Sequence, residues 1–144
     1  MPRISFFTED INFKLSQKLF LKNWISKVIQ LEEKKKGEIN YIFCSDSYLS
    51  KINLEYLKHD TLTDIITFDY TRDYKGHISG DLFISIDRVM ENAEMLNIPF
   101  TEELHRVMIH GVLHLMGYKD KTKASRTIMR QKEDNSLSLQ LHIK

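Results

Sequence analysis

Residues 105–120 read HRVMIHGVLHLMGYKD, and the rest of the chain is best read outward from them. They form the second half of a helix introduced by Pro99 and Thr101, with Thr101 as its cap and Glu102 and Glu103 in its first turn. The helix runs to Met116 and stops at Gly117. His110 and His114 stand four apart, so at helical pitch they differ by about 40° and one turn and project from one face. That spacing lets two neutral imidazole nitrogens converge on one cation. Gly117 offers a left-handed turn that folds the chain back, and Asp120 arrives where a third ligand could close the open side. A His, His, Asp set with a free position is the pattern of a catalytic rather than a structural site. Spacing alone also fits a plainer reading, two histidines of a core helix. His105 lies about 140° from His110 and does not share its face, which suits a core or supporting histidine.

Outside this stretch the hydrophobic period alternates between strand and helix. Ile4 to Phe7 reads as an edge strand. Asn12 caps a long helical run carrying Leu15, Leu19, Phe20, Trp24, Val28 and Leu31, which Lys34-Lys35-Lys36-Gly37 ends. Ile39 to Cys44 is rich in β-formers, and Ser45-Asp46 caps a short helix through about Tyr56. Asp64 to Tyr70 and Asp81 to Ile86 are two further strands around a polar loop with Gly76 and Gly80. Asp87 to Leu96 is helical, and the tail from Thr122 makes a last helix. The class is α+β: one small mixed sheet of about four strands with about five or six helices, in a single domain over residues 1–144.

Composition narrows the function. With 144 residues and 42% hydrophobic content the chain can bury a core without disulfides, and one cysteine cannot form an intrachain bridge. No apolar run approaches the roughly 18 residues of a membrane helix, and the N-terminus lacks a signal-like core, so a cytoplasmic protein with no membrane partner is expected. The balance of 21 Lys and Arg against 20 Asp and Glu excludes a strong whole-molecule basic field. Any grip on nucleic acid must come from local patches. Two are visible. Lys14, Lys18 and Lys22 recur at helical spacing, although a merely solvated face fits them as well. Lys119, Lys121, Lys123, Arg126, Arg130 and Lys132 follow the histidine motif and are the better candidates for holding an RNA backbone. Tyr70, Tyr74 and Tyr118 could stack on unpaired bases.

The stretch from His110 to Tyr118 closely resembles the signature of the YbeY-type rRNA maturation endoribonucleases. The segment from Asn53 to Phe68, with Tyr56, Asp60, Thr63 and Asp64, and the run Ser79-Gly80-Asp81-Leu82-Phe83-Ile84-Ser85 resemble further family motifs in the same order. The resemblance implies a metal-dependent, single-strand-specific endoribonuclease acting in rRNA maturation, at the 3′ end of 16S rRNA, and in ribosome quality control. It implies an rRNA-precursor substrate, with small-subunit ribosomal proteins or an assembly GTPase as partners. It assigns one divalent metal to His110, His114 and Asp120, with zinc as first expectation.

Two positions depart from the family pattern. Where the family ends its signature in Asp-His, this chain has Lys119-Asp120, so a carboxylate stands for the third histidine. Such a set also suits iron(II) or manganese. Where the family has an arginine linked to activity, after the tyrosine matched by Tyr56, this chain has Leu57. Lys58 or Arg72 could supply the missing cation, and Arg72 joins Lys119, Lys121, Lys123 and Arg126 as a candidate RNA contact. Asp64 and Asp81 could orient a water or a ligand histidine, and turn capping is the bland alternative for both. Two rival functions remain at this point. One is a ribosome-assembly module in which a structural metal only folds the turn at residues 117–120. The other is a zinc protease, disfavoured because Gly111 stands where such enzymes need a glutamate base.

Overall fold

The computed structural model describes residues 2–57 and 63–143. Its strands are β1 (Arg3–Glu9), β2 (Lys36–Cys44), β3 (Ile65–Asp69) and β4 (Ile78–Ser85). The helices are α1 (Lys18–Leu31), α2 (Asp46–Ile52), α3 (Ile86–Leu96), α4 (Phe100–Leu115) and α5 (Lys123–Leu139). A π-helical turn, Asn53–Leu57, extends α2, and short 3-10 turns follow β3 and α5. The strands form one sheet in the order β1-β2-β4-β3. β1, β2 and β4 run parallel, and β3 lies antiparallel on the far edge. This is the α+β class with a four-stranded mixed sheet, as expected, and β1 is indeed an edge strand. None of the helices among the described residues is long and apolar enough to cross a membrane.

Alternation along the strands sets the layers. Ile39, Tyr41 and Phe43 of β2 and Leu82 and Ile84 of β4 belong to the main core, with Leu21, Trp24, Ile25, Val28 and Ile29 of α1. A smaller cluster of Cys44, Leu49 and Ile66, with Tyr48, Phe68 and Phe83 against it, forms on the other face under α2. Two aromatic side chains carry paired polar atoms into the main core. The Tyr41 hydroxyl donates to Met108 O at 2.9 Å, and Trp24 Nε1–H donates to Ser136 O at 2.7 Å. The second bond ties α1 to α5.

Helix α4 is buried almost all round. From Val107 to Leu115 every residue is buried except His110 and His114. Its approach to the sheet is close at Gly111, where a Cβ would meet Ile65 Cδ1 at 2.9 Å and Leu82 Cδ2 at 3.2 Å. The position at which a metalloprotease would carry its glutamate is thus packed into the sheet.

Several expectations are corrected. The first helix begins at Lys18, not near Asn12, because Gln17 adopts a left-handed conformation (φ 60°) and Phe13 turns aside to pack on Phe43 and Phe100. Leu19 and Leu31 are exposed, and the buried stripe is Leu21, Trp24, Ile25, Val28 and Ile29. The Lys14, Lys18, Lys22 stripe therefore does not lie along one helix, since Lys14 precedes it. Lys36 and Gly37 open β2 rather than ending α1, and Gly80 lies inside β4. Helix α4 starts at Phe100 with Pro99 in the cap position, so Thr101 is already helical.

Two measurements follow from this packing. Gly111→Val should destabilise the protein by about 1–3 kcal/mol in urea unfolding, because a whole isopropyl group must enter the Ile65–Leu82 contact. Gly111→Ala should cost less, since better helix propensity returns about 1 kcal/mol. The second concerns Glu103, buried on α4, whose Oε1 meets no hydrogen-bond donor among the described residues. Burial, then the Asp64 charge, raises its pKa above the ordinary 4.5. Such a carboxyl binds protons more tightly when folded, so its contribution to stability is lost as pH rises through the raised value. Glu103→Gln should therefore gain on the wild type from acid to neutral pH, by about 1 kcal/mol. Urea unfolding at both pH values checks it, and an equal difference at the two would contradict the assignment.

Candidate metal and RNA site

The C-terminus of α4 is closed by a glycine turn. Gly117 takes φ 103°, Tyr118 N–H donates to Leu113 O at 3.1 Å, and Gly117 N–H donates to His114 O at 3.0 Å. These are the two bonds of a Schellman cap. The cap returns the Tyr118 carbonyl to the helix, where it accepts from His114 Nδ1 at 2.9 Å. Beyond it the Tyr118 hydroxyl donates to Glu32 Oε1 at 2.6 Å, and Lys132 Nζ donates to Glu32 Oε2 at 2.9 Å. Lys132 also lies 5.3 Å from the Tyr118 ring centre. The loop bearing Asp120 is thereby tied to the end of α1 and to α5. Thr122 and Ser125 then form a capping box that starts α5.

His110 is held differently. Its Nδ1 lies 2.6 Å from Glu133 Oε2, and its Nε2 lies 3.3 Å from Asp120 Oδ2. Glu133 in turn accepts from Arg106 Nη1 at 3.0 Å, and Arg106 Nη2 reaches Asp134 at 2.8 Å. Neither a carboxylate nor a carbonyl has a proton to give, so Nδ1–H is the donor in both histidines when neutral. Both Nε2 lone pairs are then left for another partner. The rings stack at 6.0 Å between centres with planes 16° apart.

His110, His114 and Asp120 line one cleft of about 340 Å³, together with Asn53, Leu57, Thr63, Asp64 and residues 65–67 of β3. A larger groove, about 750 Å³, lies beside His105 where α1, α4 and α5 meet, but its walls include neither His110 nor His114. Size does not pick out the site here. Convergent chemistry does.

The cleft is electronegative. Burial opposes a charge on His110, but the bond from Glu133, followed by the Glu133, Asp120 and Asp64 charges, outweighs it and raises the imidazole pKa. Burial is also the main cause that raises the Asp64 carboxyl, against the opposing His110 charge. A field that favours a proton on His110 favours other cations there too, and two imidazoles with a carboxylate are donor types that suit a divalent metal. Among the described residues no group of three or more His, Cys, Asp or Glu side chains is already arranged to hold a metal ion.

Not every expected residue reaches this cleft. Asp81 points to the opposite face of the sheet, because its neighbour Leu82 faces the core and side chains alternate. There it accepts from Asn40 Nδ2 at 3.1 Å and lines a groove with Phe7, Tyr48 and Phe83. Arg72 is exposed in the turn at the far end of β3 and does not line the cleft. Lys58, like Asp60, lies outside the described residues. Lys119, Lys121, Lys123, Arg126 and Arg130 are all exposed near the Asp120 loop, with Arg126 Nη1 donating to Lys121 O at 3.1 Å. Lys132 is instead engaged with Glu32. Tyr70 and Tyr74 are exposed, and His105 is a buried histidine beside Trp24.

Sequence reasoning missed Arg106 and Glu133. The signal was present: Met129, Glu133 and Ser136 are the buried stripe of α5, and an acid on such a stripe calls for a partner.

Comparison with known proteins agrees with the motifs. Residues 4–140 match the family model described as endoribonuclease YbeY. A relative named Endoribonuclease YbeY from Flavobacterium psychrophilum is 54% identical over 138 residues, covering 96% of each chain. Those of Flavobacterium johnsoniae and Cytophaga hutchinsonii are 53% and 51% identical, over 92% and 94% of this chain and 94% of each relative. A solution structure of a Thermotoga maritima protein, 25% identical, superposes with a TM-score of 0.66 over 95% of this chain and 88% of that one. A model match over nearly the whole chain, joined to these identities, places the protein: it belongs to the endoribonuclease YbeY family.

Proposed function

We propose that this endoribonuclease cuts single-stranded RNA, rRNA precursors among its substrates, with a divalent metal held by His110, His114 and Asp120. The observation that carries the reading is the contact each histidine Nδ1 makes within the fold. Each Nδ1 lies against an acceptor within the fold, which leaves both Nε2 atoms for the cleft that Asp120 also lines, His110 Nε2 already 3.3 Å from Asp120 Oδ2. When bound, the metal would acidify a water and polarise a phosphoryl oxygen. Zinc is the first expectation, with iron(II) or manganese as alternatives because the third donor is a carboxylate.

The chain's own residues supply the rest. Asp64, in the same cleft and with a raised proton affinity, can accept the proton of an attacking oxygen. Lys119, Lys121, Lys123 and Arg126 would grip phosphates beside it. Leu57 lines the cleft in place of the arginine that the resemblance implies, so the local cation must come from elsewhere. Lys58 is the nearer candidate in sequence, and Arg72 is the more remote. With the whole chain near neutrality, small-subunit ribosomal proteins or an assembly GTPase would provide targeting in the cytoplasm.

Metal analysis and cleavage of a single-stranded RNA test this together. The wild type should contain metal and cut; His114→Ala should lose both, with cleavage down at least about 100-fold. Equal cleavage by the two proteins would expose a contaminating nuclease and remove the site assignment. RNA affinity should fall steeply between low and physiological salt, and a flat response would argue against the basic loop.

A further inference from the structure

We propose that Glu133 is a positioning residue for the metal centre, fixing the tautomer and aim of His110, with Arg106 holding it from behind. The inference rests on the metal reading above. Glu133 is buried, its side chain 7% exposed, on the inward stripe of α5. Both of its oxygens are used: Oε2 by His110 Nδ1 at 2.6 Å and Oε1 by Arg106 Nη1 at 3.0 Å. Arg106 and His110 sit one turn apart on α4, and Arg106 donates from its second terminal nitrogen, Nη2, to Asp134. A chain of charges thus runs Asp134, Arg106, Glu133, His110, and ends at the cleft.

The two histidines are supported unequally. His114 leans on a neutral backbone carbonyl, whereas His110 leans on a buried carboxylate, the stronger acceptor. A carboxylate behind an imidazole raises the donor strength of the opposite nitrogen and stops the ring from turning. A helix 23 residues further along the chain therefore belongs to the metal centre, although it supplies no ligand.

The rival role is purely structural: Glu133 would pin α5 to α4 and nothing more. Glu133→Gln separates the two, because it keeps the shape but weakens the acceptor and offers an NH₂ that can face Nδ1. Zinc affinity, measured by competition with a chromophoric chelator, should fall about 10- to 100-fold in the folded variant. In ¹⁵N NMR of the metal-free protein at alkaline pH, wild-type His110 should be the Nδ1–H tautomer, and the variant should shift toward Nε2–H. A variant that unfolds more easily but binds zinc as the wild type does would overturn the proposal. So would a wild-type His110 found as Nε2–H, a result that needs no variant to fold. If the wild type takes up no zinc, or keeps it when His110 and His114 are both replaced by Ala, the metal reading fails. The tautomer comparison still decides whether Glu133 orients the ring.

Discussion

Helix α4 lies against the sheet on one side and against α3 and α5 on others, so its surface is almost wholly spent on packing. From Val107 to Leu115 only two side chains reach open space, and both are imidazoles. Much of the local chemistry follows from that constraint. Polar groups at the edge of a dry core lose water on one side and must find partners in the fold. The partners available are those that α5 and the glycine turn bring within reach. They take one nitrogen of each ring and leave the other facing the cleft.

Charge is sorted in the same way. Asp64, Glu103 and Glu133 gather around His110, with Arg106 opposing the charge of Glu103 and Glu133 and His110 that of Asp64. Lys119, Lys121, Lys123 and Arg126 stand exposed on the loop and first turns outside. A formal charge of +1 for the whole chain thus conceals an acidic cleft with a basic rim. The cleft suits a cation and the rim suits a polyanion, an arrangement a nuclease can use at both surfaces.

Much of this was legible in the sequence, and the failures have physical causes. Strands were readable because β2 and β4 carry dense β-branched and aromatic runs. The histidine pair and the turn were readable because a helix fixes the relation of residues four apart and Gly117 marks its end. The start of α1 was not, because Phe13 is drawn to Phe43 and Phe100 and the apolar spacing before Gln17 serves that contact instead. Asp81 was misplaced because sequence shows that a residue alternates but not which face its strand turns inward. Glu133 stood on the inward stripe of α5 as an acid in want of a partner, but which partner depends on α5 docking against α4, a relation between distant segments that no local pattern encodes.

The link from Glu133 to His110 also has a bearing on synthesis. The chain emerges with β1 first and α5 last, so the sheet and both histidines are made before the carboxylate that supports His110. A nascent chain paused after the Asp120 loop carries the three cleft residues, but without the buried support and without the Trp24 anchor at Ser136. For an endoribonuclease, whose kind of substrate its own ribosome is built from, the proposed centre would then gain its buried support only once α5 is free to dock.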